Sequence, residues 1–512
     1  MERHIGVWHR EEKADKSEVG ELIINGNQIE FYCRLGSLVY PETFIGYDGE
    51  HGYKVFTMGL TQTGQNRVVD YVYSHRVFYV LMQNFGFSKG TDITDIKEVS
   101  FTFPELSRWV GIDTVFYCST DQDEPAAGEF HIEPISVKEG NPSIEIYFES
   151  KTYESNLTIE DATTITIKKE PRIRVVYEKS ANITTVHSNI ECIMQFFGLL
   201  IGKTSDVSDI RLTIEGQGGN SWLYINYDFS YNLMTQGIIN KPRSYYYVIS
   251  ENLNDYFDNW YTFFYDDQYR LLRQVYFSVN NRKAIFAEEV FVEYIRFLDG
   301  YHARKYGDAE TEEKLKEALK EVTKVIKKQL FNEKNKPIFE KAFQSVIPDW
   351  KFNASHVGSV SEWIAAGYSS RKSLSHRLKE LDKDHFGIIE HNALAIEKEY
   401  QVKSLNAELS DEQLIENFYK ELSDTRNYYS HYKQDKTGVL NILQMKESIN
   451  VLKALIVSIF LSHIGLNEGT IRRMLVFDDE LDFQTLFLRK QDDKPFLTPK
   501  EWMHEQYTET EG

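Results

Sequence analysis

Cysteine is scarce in this chain: Cys33, Cys118 and Cys192 are the only three in 512 residues. They are too few and too scattered for a disulfide framework or a zinc site. Long apolar runs are also missing. The longest, residues 454–460 and slightly beyond, has Lys453 before it and His463 after it. It falls well short of the roughly 20 residues that span a bilayer, so no membrane anchor is expected. Positive charge is in deficit, with 58 Lys and Arg against 78 Asp and Glu and a net charge of −20. That argues against a general nucleic-acid coat, which binds phosphates by displacing counterions with Lys and Arg. Residues 1–16 are too charged to hold the apolar core of a secretory signal, so no export is implied and a reducing cytoplasm is expected. There is no Walker-type phosphate loop, no nucleophile elbow and no His-Glu-x-x-His. Gly216-Gln217-Gly218-Gly219 sits between strands and opens no helix, which leaves a phosphate-binding reading weak.

What is present is material for a large core. Hydrophobic residues make up 41% and aromatics 14% of a chain long enough for two domains. Through about residue 240 the pattern is mostly period two, the mark of half-buried strands. Leu22, Ile23 and Ile24, the Asn25-Gly26 turn, then Ile29, Phe31, Cys33 and Leu35 give the clearest hairpin. A second hairpin joins Ile210, Leu212 and Ile214 to Trp222 and Tyr224, and residues 143–150 read as a further strand. One helix interrupts them, with Val186, Ile190, Ile193, Phe197 and Leu200 at helical spacing.

From about Asn252 the period becomes three and four. Phe286, Val290, Phe291, Tyr294, Ile295 and Leu298 line one helix, and Leu315, Leu319, Val322, Ile326 and Leu330 line another. The lysines of that second helix (Lys314, Lys316, Lys320, Lys324, Lys327, Lys328) read as its solvated face. Ser410-Asp411-Glu412-Gln413 is a capping box. Ile442, Met445, Ile449, Leu452, Ile456 and Ile459 form the stripe of a closing helix that stops at Gly465. The expected domains are residues 1–250, β-rich, and 251–512, helical.

The helix that follows the capping box carries Arg426-Asn427-Tyr428-Tyr429-Ser430-His431, and these residue types suit RNA cleavage without a metal. The RNA's own 2′-hydroxyl attacks the adjacent phosphorus if one group removes its proton and another protonates the departing 5′-oxygen. Histidine, with an ordinary pKa of about 6.5, can do either. A guanidinium holds the phosphate and its growing charge without losing its proton. At about 100° per residue, Asn427 and His431 lie about 40° apart on a helix, while Arg426 and His431 diverge by about 140°. Arg426 must reach round or act across an interface. One motif offers one histidine where cleavage needs an acid and a base, so two motifs facing each other in a symmetric dimer are expected.

The spacing Arg-x4-His occurs a second time, at Arg371 and His376, but without Asn after the Arg. That match reads as the start of a surface helix. Tyr428, Tyr429 and Tyr432 could stack on unpaired bases or simply pack. Ser430, Lys433 and Lys436 complete the expected substrate contacts. The remaining histidines, among them His302, His356, His385 and His391, are scattered and expected to be surface or capping residues, so neither metal nor cofactor is expected.

Arg, a polar residue, three more residues and His, followed by a polar break at 433–438 and a long apolar helix, resembles the catalytic end of the HEPN superfamily of helical ribonucleases and toxins. The whole chain is similar to the ApeA family of bacterial abortive-infection proteins. The most specific part is Thr425 through His431; Gly6-Val7-Trp8, Asn259-Trp260, Tyr294, Tyr301-His302 and Arg304 support it. The resemblance implies an α+β protein, with a β-rich, sandwich-like sensor domain followed by an all-α HEPN bundle. It further implies a homodimeric or higher symmetric endoribonuclease released by a phage trigger. Host RNA is the implied target, with tRNA anticodon loops the expected class. Arg426, Asn427 and His431 would be catalytic. The alternative is a non-catalytic HEPN-like module that binds nucleotide or a partner protein.

Overall fold

A computed structural model of the chain describes residues 1–26, 28–35, 41–62, 73–83, 95–111, 115–119, 135–136, 142–155, 164–202, 207–216, 221–225, 242–281, 286–307, 309–330, 332–345, 372–400, 409–431, 438–476, 478 and 481. Six strands come first: β1 (Glu2–Arg10), β2 (Lys13–Asn25), β3 (Gln28–Cys33), β4 (Glu42–Tyr47), β5 (Gly52–Gln62) and β6 (Tyr73–Gln83). The β2–β3 hairpin pairs Asn25 with Gln28 and Leu22 with Phe31, so Asn25 ends the strand and Gly26, at the first position of the two-residue turn, supplies the positive φ that it requires.

These strands run in the order β3-β2-β1-β4-β5-β6, and β3 pairs back onto β6. The edge of β6 is shared: residues 73–75 hold β3, and residues 79–83 hold β13 (Ser221–Ile225). The first contact closes a barrel and removes its open edges. The second continues the sheet outward through β12 (Ser208–Ile214), β7 (Ile96–Thr102), β11 (Thr164–Ala181), β10 (Ser143–Ser155) and β9 (Ile135–Ser136), with β8 (Val115–Ser119) also on β11. The expected β-rich domain ahead of a helical one is present, and its sandwich-like layering takes the form of a closed barrel prolonged by an open sheet.

Trp8, Phe31, Phe44, Tyr53 and Val55 fill the barrel as a core of its own. Gly46 makes room for the indole, since a Cβ there would sit 2.1 Å from the Trp8 ring.

The helices are α1 (Pro104–Val110), α2 (Ile183–Ile201), α3 (Tyr246–Ile249), α4 (Leu253–Tyr265), α5 (Asp267–Asn281), α6 (Ala287–Tyr306), α7 (Ala309–Leu330) and α8 (Lys336–Gln344). The series continues with α9 (Leu374–Asp384), α10 (Ile388–Tyr400), α11 (Asp411–His431), α12 (Ile442–His463) and α13 (Glu468–Val476). Asn182 caps α2, its side chain accepting from Thr185 N–H at 2.8 Å.

One hydrophobic core joins α2 and the open sheet to the helices after residue 250. Trp260 of α4 donates from Nε1 to the Cys192 carbonyl of α2 at 2.8 Å, and Phe196 meets Phe257 edge to face. Buried Arg243 pairs with Asp478 at 2.5 Å and donates to the Leu199 carbonyl at the same distance.

Every residue of α12 from 451 to 461 is buried, wider than the single stripe expected, while Ile442 at the head of that stripe is exposed. A helix apolar all round belongs in the middle of a bundle. Its buried aliphatic side chains contribute about 1.5–3 kcal/mol each. Among the described residues no helix is long and apolar enough to cross a membrane.

Candidate active site

α11 begins with a reciprocal cap: Ser410 N–H donates to Gln413 Oε1 at 3.0 Å, and Gln413 N–H donates to Ser410 Oγ at 3.3 Å. Leu414, Phe418, Leu422 and Thr425 recur at three- and four-residue spacing and are buried. This face rests on α6, α9 and α10.

Two buried acids fix its middle. Asp382, at the end of α9, accepts from Tyr419 Oη at 2.6 Å and from the N–H groups of Ile389 and Glu390 at 2.7 and 2.9 Å, which caps α10. Burial pushes its carboxyl up to about 6 against the pull of those donors. Glu397 of α10 hydrogen-bonds Glu421 of α11. Burial first, then the neighbouring Glu397 charge, raises Glu421 to about 8, and burial raises Glu397 as well. Two carboxyls in one buried seam cannot both ionise cheaply, so the pair retains a proton.

The last turns of α11 carry the motif toward solvent. Arg426, Asn427, Tyr428, Tyr429 and Ser430 are half-buried, and His431, the last helical residue, is exposed. Arg426 bends round the helix: its Nη1 donates to Asn427 Oδ1 at 3.0 Å. The guanidinium is thereby held beside the Asn427 amide, at the helix end that also carries His431. Among the described residues neither Arg426 nor His431 forms an ion pair. Tyr428 and Tyr429 meet edge to face at 4.9 Å, and Tyr429 packs on the main core. Burial, then Glu288 at the start of α6, raises the Tyr429 phenol. Tyr432, Lys433 and Lys436 lie outside the described residues.

The chain is fastened where it returns. Buried Thr425 accepts the Leu440 N–H at 2.9 Å, just ahead of the Asn441 capping box that starts α12. Gly438 has φ 72°, and a Cβ there would come within 3.1 Å of Asp424 Oδ2. Both contacts tie the returning chain at Gly438 and Leu440 to the last turns of α11.

The other Arg-x4-His match differs in kind. Ser373 caps α9 through the His376 N–H at 3.3 Å, and His376 Nε2 lies 3.8 Å from Glu380. Arg371 is outside the described residues.

His302 and His391, expected at the surface or at caps, are buried between helices instead; His385 does stand at a cap, the C-cap of α9, and is buried there. His302 Nε2 is 2.8 Å from Glu380. Burial, then Lys305, pushes His385 down to about 4. Each sits where helices pack together, a property of neighbours that a lone histidine in sequence does not reveal. His356 lies outside the described residues. The Glu397–Glu421 pair was missed as well. Its only trace is that Glu421 falls on the stripe of Leu414, Phe418 and Thr425. Among the described residues no three His, Cys, Asp or Glu side chains are arranged to hold a metal.

The model for ApeA N-terminal domain 1 matches residues 3–260, half of the chain. The chain belongs to the ApeA family. A second model, Apea-like HEPN, matches residues 292–470, and the motif of this ApeA-family protein lies inside that match. An ApeA-like HEPN domain fits a family of abortive-infection nucleases, and HEPN domains generally bind RNA and dimerise. No curated protein and no solved structure matches this ApeA-family chain.

Proposed function

We propose that this ApeA-family protein is a metal-independent endoribonuclease of the cytoplasm that halts phage infection by cutting host RNA, with tRNA anticodon loops as its target class. Residues 1–250 sense infection, and residues 251–512 cut. His431 exchanges protons with the 2′-hydroxyl and the leaving 5′-oxygen, Arg426 holds the phosphate, and Asn427 orients them. Tyr428, Tyr429, Ser430, Tyr432, Lys433 and Lys436 meet the flanking nucleotides. What carries the reading is Arg426 folded onto Asn427, so that guanidinium, amide and the exposed imidazole of His431 share one helix end.

A helix end with a single histidine lacks either the acid or the base. A twofold partner presenting the same end supplies the missing one. Mixing wild-type and His431→Ala subunits tests this. If two histidines must meet, activity falls with the square of the wild-type fraction; a linear fall means that each subunit cuts alone and overturns the composite site.

A further inference from the structure

Outside the motif, the feature that bears furthest is α7. Lys320, Lys324, Lys327 and Lys328 fall within about 100° of helix circumference, and all four are exposed. Residues 320–341 hold seven lysines against three glutamates in a chain of net charge −20. Among the described residues these four lysines make one ion pair, Lys324 with Glu321. Both of its side chains are about 70% exposed, so it is screened and weak.

A solvated face usually backs an apolar face seated on the core. On α7, Val322 and Val325 are exposed as well, as is Ile338 on α8. Neither helix packs extensively on another described element. Over its whole length α7 carries six lysines against five glutamates, and its positive excess lies in residues 320–330, with four lysines against one glutamate.

We propose that α7 is an arm that grips the phosphate backbone of the same RNA that the motif cuts. The inference rests on the ribonuclease reading above. Glu288, close to Tyr429, and Tyr306, beside the root of α7, are 18 residues apart on α6, or about 27 Å along its axis. The root of α7 therefore lies at the opposite end of α6 from the motif. Phosphate contacts position a nucleic acid and carry no sequence information of their own. In an acidic protein a local run of lysines adds phosphate contacts to those made at the motif.

The test is a salt titration of tRNA binding by full-length His431→Ala protein, with and without Lys320→Gln, Lys324→Gln, Lys327→Gln and Lys328→Gln together. The slope of log affinity against log salt should fall in size by about 3, at 0.7 to 0.9 per lost phosphate contact. The fourfold Lys→Arg variant should keep the original slope, which separates lost charge from lost folding. An unchanged slope in the Gln variant, while wild type still cleaves RNA, overturns the arm and leaves the nuclease standing. Wild type that neither binds nor cleaves RNA overturns both. Lysine-dependent binding to phosphatidylserine vesicles with an unchanged RNA slope assigns the arm to a membrane and overturns the proposal.

Discussion

Two segments of this protein carry Arg-x4-His, and they sit at opposite kinds of helix end. His376 lies in the first turn of α9, where its backbone N–H is taken by the Ser373 cap and its ring faces Glu380. His431 lies at the last residue of α11, exposed and with no ion pair among the described residues. A carboxylate beside an imidazole competes with any phosphate for it, and a first-turn position spends the local backbone donors on the cap. The end of α11 is supported from below by Thr425, Tyr419 and the Glu397–Glu421 pair, and His431 at its tip is exposed. Identical spacing therefore means different things, and what surrounds the helix end decides.

The sharpest way to break this contrast is to remove each histidine. His431→Ala should lower RNA cleavage by about 10³-fold with the fold intact, as expected for a general acid–base group. His376→Ala should stay within about twofold, as exposed substitutions usually do. Equal effects in the two variants, measured by cleavage rate alongside circular dichroism, would erase the distinction. Arg426→Ala should cost about 10²-fold or more through lost charge stabilisation, with Arg426→Lys recovering only part because lysine cannot fork onto a phosphate.

Effects on support are smaller. Thr425→Val leaves the Leu440 N–H without its acceptor and should destabilise the protein by about 1–3 kcal/mol in urea unfolding. If stability is unchanged, Thr425 does not fasten the return of the chain. The Glu397–Glu421 seam gives a pH dependence. The folded pKa of Glu421 is raised above its ordinary value, so its contribution is complete below about pH 4.5 and is lost as pH rises through about 8. Melting temperature should fall over that window, and Glu421→Gln should flatten the fall. An equal slope in the variant would remove the shared proton from the seam.

Local features were legible in the sequence. The Asn25-Gly26 hairpin, α2, the Ser410 cap and the change from period two to helical period all stand where residue patterns put them. The barrel was not legible, because its closure rests on Phe31 meeting His75 and Cys33 meeting Tyr73, pairs far apart in sequence that no alternation encodes. The buried histidines and the Glu397–Glu421 pair escaped for the same reason: each depends on which helix faces which. The stripe of α12 was read, but its burial on all sides was not, since that depends on how many helices surround it. At the motif, the sequence supplied residues and spacing. The turn of Arg426 onto Asn427 needed coordinates.

The chemistry of the cut ends is the most direct measurement. Full-length wild type incubated with tRNA in the presence of a chelator should leave 2′,3′-cyclic phosphate and 5′-hydroxyl ends, and folded His431→Ala should leave neither. Ends bearing a 5′-phosphate, or cutting that persists in folded His431→Ala, would contradict the account.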